Sequence, residues 1–95
     1  MNIKENQILG KKWIILIIKT LLGCDKSFSS IKREIFGISD KVLSQRLKEM
    51  EKEKLLKRYV YTNTPIRVEY GLTVKGENLK KAIHELTIWI NRYVK

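Results

Sequence analysis

Ninety-five residues of 11.2 kDa suffice for one hydrophobic core and hardly for two, because a chain of this size buries roughly 60–70% of its unfolded surface. A hydrophobic content of 43%, with one Pro and 32% charged residues, excludes a disordered tail and a collagen-like rod. Twenty Lys and Arg against ten Asp and Glu give a formal charge of +10, which favours a polyanionic partner, either nucleic acid or an anionic membrane surface.

The first expected element is a helix from about Lys11 to Leu22, stopping near Gly23. Trp13, Ile14, Ile15, Leu16, Ile17 and Ile18 point in every direction around it, the pattern of a buried helix. A domain this small hardly covers such a helix alone, so a partner subunit is expected. Lys11 and Lys12 before the apolar run resemble an export signal, but Lys19 ends the run after six residues. A membrane span needs about twenty. No small-residue cleavage site follows, so neither export nor a membrane partner is expected.

Cys24 lies in the loop beyond and is the one cysteine, which excludes an internal disulfide framework. With His84 the one histidine, no zinc site from Cys and His ligands can be assembled. A reducing cytoplasm and no cofactor fit this composition.

Phe28-Ser29-Ser30 starts a short second helix carrying Ile31 and Ile35 inward. Gly37-Ile38 makes a turn, and Ser39-Asp40 opens a third helix as N-cap and first-turn acid, running to about Lys54. Leu43, Leu47 and Met50 form its buried stripe. Two helices joined by a short Gly-containing turn match a helix-turn-helix.

Leu56 to Tyr61 is β-rich, and Arg67 to Leu72 alternates with Val68, Tyr70 and Leu72 on one face. Thr62-Asn63-Thr64-Pro65 supplies the turn of a hairpin. Thr73 caps a last helix to about Tyr93, with Leu79, Ile83, Leu86 and Ile90 inward and Ile88 and Trp89 outside that stripe. No repeat or linker divides residues 1–95. The expected fold is therefore one mainly α domain with a small β-hairpin, a winged helix-turn-helix.

With Leu43, Leu47 and Met50 inward, Lys41, Ser44, Gln45, Lys48 and Lys52 occupy the opposite arc of the third helix. Such side chains reach base edges and phosphates when a helix enters a major groove. Gln pairs bidentately with adenine, Lys reaches guanine acceptors or phosphate, and Ser serves either base class. The bland alternative is an ordinary solvated face. Arg67 beside the hairpin turn suits a minor groove or the backbone, against a plain solvated edge charge. Ser29 and Ser30 begin a helix whose free N–H groups suit a phosphate, although capping alone explains both. For catalysis there is no Ser-His-Asp, paired-carboxylate or phosphate-loop arrangement. A redox role for Cys24 would require a lowered pKa, and a function-free loop thiol is the simpler reading.

In order along the chain, Gly10-Lys11-Lys12-Trp13, Phe28-Ser29, the run Gly37 to Glu51, Arg67-Val68-Glu69-Tyr70-Gly71-Leu72-Thr73, Gly76 and Trp89 resemble the HxlR-type family of transcription regulators. The resemblance extends from about Leu9 to Tyr93. It implies a winged helix-turn-helix homodimer, related to MarR-type regulators, that binds double-stranded operator DNA and dimerises through its terminal helices. By the same resemblance the segment from Ser39 to Lys48, including Arg46, enters the major groove, and the wing bearing Arg67 contacts the flanking groove or backbone. Trp13, Ile14, Ile88 and Trp89 are the expected dimer contacts. Many members carry a Cys-Pro pair well before the Gly-Lys-Lys-Trp segment. None precedes Gly10 here, so thiol sensing does not carry over to Cys24.

The expected function is that of a cytoplasmic, dimeric, sequence-specific DNA-binding regulator, acting as a repressor and not as an enzyme. Two competing readings are a winged-helix module for protein–protein assembly and a sensor holding a small-molecule effector of unknown identity. Salt-dependent duplex binding separates the first from a DNA regulator. The second is compatible with DNA binding.

Overall fold

Hydroxyl side chains open three of the helices in the computed structural model, which describes residues 13–94. Ser27, Ser39 and Thr73 accept hydrogen bonds from the backbone N–H of Ser30, Val42 and Gly76 respectively, each three residues on. A cap of this kind stabilises a helix end by about 1 kcal/mol. In chain order the elements are α1 (Ile14–Thr20), α2 (Phe28–Glu34), α3 (Asp40–Lys52), β1 (Leu56–Tyr61), β2 (Arg67–Leu72) and α4 (Val74–Tyr93). Lys11 and Lys12, expected at the start of the first helix, lie outside the described residues.

The core joins Ile14, Ile17, Ile18 and Leu21 of the α1 segment to Ile31, Ile35 and Ile38 and to the α3 stripe Leu43, Leu47 and Met50. Leu55 and Leu56 close it from below the hairpin. Gly37, at φ +84°, makes the left-handed turn from α2 to α3 that a β-carbon would resist. As expected for so small a domain, α1 is not covered all round by its own chain. It packs against α2 and α4, and its other flank leaves Ile15 and Leu16 exposed at 37% and 40%.

The hairpin is antiparallel, with a register from Leu56 opposite Leu72 to Tyr61 opposite Arg67. Pleating puts Leu56, Arg58, Val60, Val68, Tyr70 and Leu72 on one face. Lys57, Tyr59, Tyr61, Arg67, Glu69 and Gly71 take the other. A further strand-like pairing has no counterpart among the expected elements. Lys26 pairs with Tyr70 through N–H···O bonds of 3.0 and 2.7 Å, tying β2 to the entrance of α2.

The last helix also differs from expectation. Leu79 and Ile83 pack on the core, but Leu86 and Ile90 are exposed at 50% and 41%. Only Gly76 of α4 is fully buried. The apolar period is present in the far half of α4, yet no other part of the described chain extends far enough to cover it.

Helix α3, wing and α4 meet at one joint. Lys54 adopts φ 62° just past α3, and the next N–H, of Leu55, returns to the Met50 carbonyl at 2.9 Å. This is the left-handed stop usually given to glycine. Thr73 N–H donates to the Leu55 carbonyl at 3.1 Å, its hydroxyl donates to the Lys54 carbonyl, and Lys75 Nζ donates to the Glu53 carbonyl at 2.9 Å. A β-carbon on Gly76 would run into the Leu55 carbonyl oxygen.

Two substitutions at this joint should act in opposite directions. Lys54→Gly removes a left-handed β-carbon worth about 1–2 kcal/mol and adds unfolded-state freedom of about 0.5–1, so it should stabilise by about 0.5–1 kcal/mol. Gly76→Ala crowds the joint and should cost about 1–3 kcal/mol. Urea melts with an unchanged slope measure both. Same-sign shifts would contradict the geometry.

Candidate nucleic-acid interface

The α3 stripe that fills the core also fixes what α3 shows to the outside. At 100° per residue, Lys41, Gln45, Lys48 and Lys52 fall within an arc of about 60° centred opposite Leu43. All four are exposed, whereas Ser44, expected with them, sits half-buried on the flank of the helix, about 40° outside that arc. Among these, Gln45 is the neutral bidentate group, flanked by cations one turn before and after it. Ser39 accepts from Val42 N–H at 3.1 Å and keeps its own O–H for donation outward. Beside it, the Asp40 carboxylate is neutralised by Lys32 Nζ at 3.2 Å.

Arg46 is placed differently from these. It lies about 60° from Leu43 on the same wheel, on the shoulder of the buried stripe. Its guanidinium contacts Glu49 Oε1 at 2.6 Å, and its side chain is 15% exposed. The exposed arc and Arg46 therefore do not form one surface.

The serines of α2 are drawn into local bonds. Ser30 N–H donates to Ser27 Oγ at 3.2 Å. Ser30 Oγ also takes the Ser27 hydroxyl at 3.2 Å and Arg33 Nη2 at 3.3 Å. Ser29 is exposed. The cap is Ser27, which sequence reasoning missed. Its signal was a hydroxyl standing three residues before the N–H that it satisfies.

On the wing, Arg67 projects from the last pair of the ladder with a side chain 64% exposed. Its guanidinium carbon lies 4.5 Å from the Tyr61 ring centroid, and its Nε is 3.8 Å from Glu69 Oε2. Two further cations on β1, Lys57 and Arg58, are exposed and were not singled out from the sequence. The segment from Lys26 to Arg67 carries eleven basic and five acidic residues, so most of the net charge of +10 lies on this half of the chain. Exposed ion pairs within it, such as Lys32 with Asp40, are worth about 0–1 kcal/mol each.

Apolar side chains are exposed on α4 and α1. Ile88 and Trp89 on α4 are exposed at 46% and 53%, with the Trp89 and Tyr93 rings 5.5 Å apart. Trp13 is half-buried. Ile14, expected at a dimer seam, is wholly enclosed by its own chain, and the exposed flank of α1 is formed by Ile15 and Leu16. Between α1 and α4 runs a shallow groove of about 170 Å³ lined by Ile15, Leu79, Ala82, Ile83 and Leu86.

Cys24 is a free, exposed thiol and His84 is exposed. Among the described residues no cluster of His, Cys, Asp and Glu could hold a metal ion, and no helix is long and apolar enough to cross a membrane.

The model of the HxlR-like helix-turn-helix family matches residues 8–95. Over 91 residues the chain is 41% identical to the HTH-type transcriptional regulator YvaP of Bacillus subtilis, covering 96% of this chain and 84% of that protein. The solved reduced form of the transcriptional regulator YodB from B. subtilis superposes with a TM-score of 0.88 at 37% identity, covering 96% of this chain and 89% of that one. A MarR-family regulator structure from Porphyromonas gingivalis superposes with a TM-score of 0.85 at 35% identity, covering 97% and 89%. The two-helix unit, the hairpin and the closing helix are thus the winged helix-turn-helix of those regulators, and the chain belongs to the HxlR-like helix-turn-helix family, a family of DNA-binding transcriptional regulators and not of enzymes.

Proposed function

We propose that residues 1–95 act as one DNA-binding unit, paired with a second copy, that lays α3 in the major groove of an operator and rests the wing on the flanking groove or backbone. The observation that carries this reading is the exposed arc of α3. Lys41, Gln45, Lys48 and Lys52 stand opposite the buried stripe, with the exposed Arg67 on the neighbouring wing. Gln45 and Ser44 read base edges, and Ser39, Lys41, Lys48, Lys52 and Arg67 hold phosphates. Arg46 stiffens α3 through Glu49 and contributes charge from its shoulder position. Ser29, exposed in the first turn of α2, is within the same basic half and suits a backbone contact. Ser30 supports it through its bonds to Ser27 and Arg33.

Pairing is supported by the apolar side chains left uncovered at the chain's ends: Ile88, Trp89, Ile15 and Leu16, with Trp13 beside them. Ile14 backs that seam from inside the core. A pair of recognition helices asks for a pseudo-palindrome with half-sites about one helical turn apart. A dimer seated across such a site excludes polymerase from it, which is repression. A duplex DNA partner also suits the cytoplasm.

Reading and holding separate by mutation. Gln45→Ala should weaken operator binding by about 1–3 kcal/mol and leave scrambled duplex untouched. Lys52→Ala should weaken both duplexes and lower the salt slope by about one unit for each phosphate that is no longer neutralised. For the wild type, affinity should fall by about 10³–10⁵ between 50 and 200 mM salt if six to ten phosphates are contacted. Titrations of operator against scrambled duplex at several salt concentrations measure all three. A flat salt dependence, or equal losses on both duplexes for Gln45→Ala, would refute the assignment.

The seam has its own test. Ile88→Asp combined with Trp89→Ala removes apolar area and inserts a charge, both at positions exposed on one chain. Light scattering should report a dimer for the wild type and half that mass for the double variant, with helical content retained. A wild type that is monomeric at micromolar concentration would overturn the dimer.

A further inference from the structure

Arg67 is not a free-swinging cation. Its partner across the hairpin is Tyr61, the last pair of the register, and the two side chains share a face of the wing. The guanidinium lies over the phenol ring with its carbon 4.5 Å from the centroid, well within cation–π range. Tyr61 itself is half-buried, so the ring is held by the sheet while the arginine remains 64% exposed. Glu69, two residues along the same face, approaches Nε only to 3.8 Å.

We propose that Tyr61 is a positioning residue for DNA binding: its ring orders the Arg67 guanidinium against the wing before DNA arrives. This rests on the wing reading given above. A long exposed arginine ordinarily loses rotamer freedom when it docks, and a planar group already stacked loses less. With its guanidinium carbon over the ring, the arginine still has five N–H donors, of which the ring can engage only those turned toward it, leaving the rest for phosphate. Salt weakens a 3.8 Å surface ion pair with Glu69, but it hardly touches the contact with the ring. The stack therefore persists at ionic strengths where the acid no longer restrains the arginine.

Three substitutions on the wing, with one double variant, isolate the ring from the hydroxyl, from bulk and from the cation. Tyr61→Phe keeps the π face and should bind operator within about twofold of wild type. Tyr61→Leu keeps an apolar strand residue without the π face and should lose about three- to tenfold, the range set by restoring side-chain freedom. In an Arg67→Ala background Tyr61→Leu should cost nothing more. The salt slope of Tyr61→Leu should stay that of wild type, because the cation is still present, whereas Arg67→Ala lowers it.

The arrangement is also visible without DNA. In the NMR spectrum of the whole chain, the Arg67 δ and ε protons should be shifted upfield by the ring in wild type and Tyr61→Phe, and should relax to ordinary positions in Tyr61→Leu. A missing shift in wild type overturns the positioning role whatever the DNA data say. So does a Tyr61→Leu loss that persists in the Arg67→Ala background, since the ring would then act on DNA by itself. If Glu69→Gln loses affinity while Tyr61→Leu does not, the acid is the positioning group and the proposal falls. Should Arg67→Ala bind operator like wild type although the wild-type ring shift is present, the wing reading fails instead, and Tyr61 has no DNA role to support.

Discussion

The architecture turns on a few backbone atoms between Glu53 and Leu55. There α3 stops, β1 starts, and the first turn of α4 returns to dock through Thr73, Lys75 and Gly76. The Leu55 carbonyl accepts from Thr73 and faces the bare Cα of Gly76, so strand entry and helix entry are set by one oxygen. The recognition helix, the wing and the terminal helix are therefore not three attachments to a core. They share an origin, and each constrains the direction of the others. The short pairing of Lys26 with Tyr70 adds a second tie, between the wing and the entrance of α2.

From that frame the molecule shows two unlike surfaces. One is basic and carries short polar groups among long cations, with acids such as Asp40 and Glu34 already paired to lysines. The other is apolar and lies on the far half of α4 and the outer flank of α1. Extra chain devoted to covering α4 would gain little for DNA contact. Leaving the helix bare makes the second copy of the proposed dimer the cover, so the same apolar residues would stabilise the assembly and establish the spacing of two recognition helices.

Much of this was readable in the residues. Ser39 and Thr73 announce helix starts because a hydroxyl before an apolar period readily satisfies an orphan N–H. Leu43, Leu47 and Met50 orient α3 because their spacing leaves one inward direction. The hairpin followed from alternation around Thr62 to Pro65. Other features have no periodic trace. A single bridged pair such as Lys26 with Tyr70 is too short to alternate. Periodicity marks Leu86 and Ile90 as apolar-facing but says nothing of what they face, and within one chain they face outward. Arg46 shares a segment with the exposed lysines, and only its angle from Leu43 and its contact with Glu49 separate it from them. The stack of Arg67 on Tyr61 depends on cross-strand register, which a hairpin loop of uncertain ends does not fix beforehand.

The bare glycine at the base of α4 also has a mechanical meaning. About fourteen residues separate Gly76 from Ile90, a lever of roughly 21 Å at 1.5 Å per residue. A swing of about 10° at the base moves the far end by nearly 4 Å, close to one base-pair step of about 3.4 Å. In the proposed dimer that far end is where the copies clasp, so angular slack at Gly76 would translate directly into error along the duplex. The contact between Gly76 and the Leu55 carbonyl, tighter than any side chain permits, would serve that proposed dimer as the pivot stop of a pair of calipers.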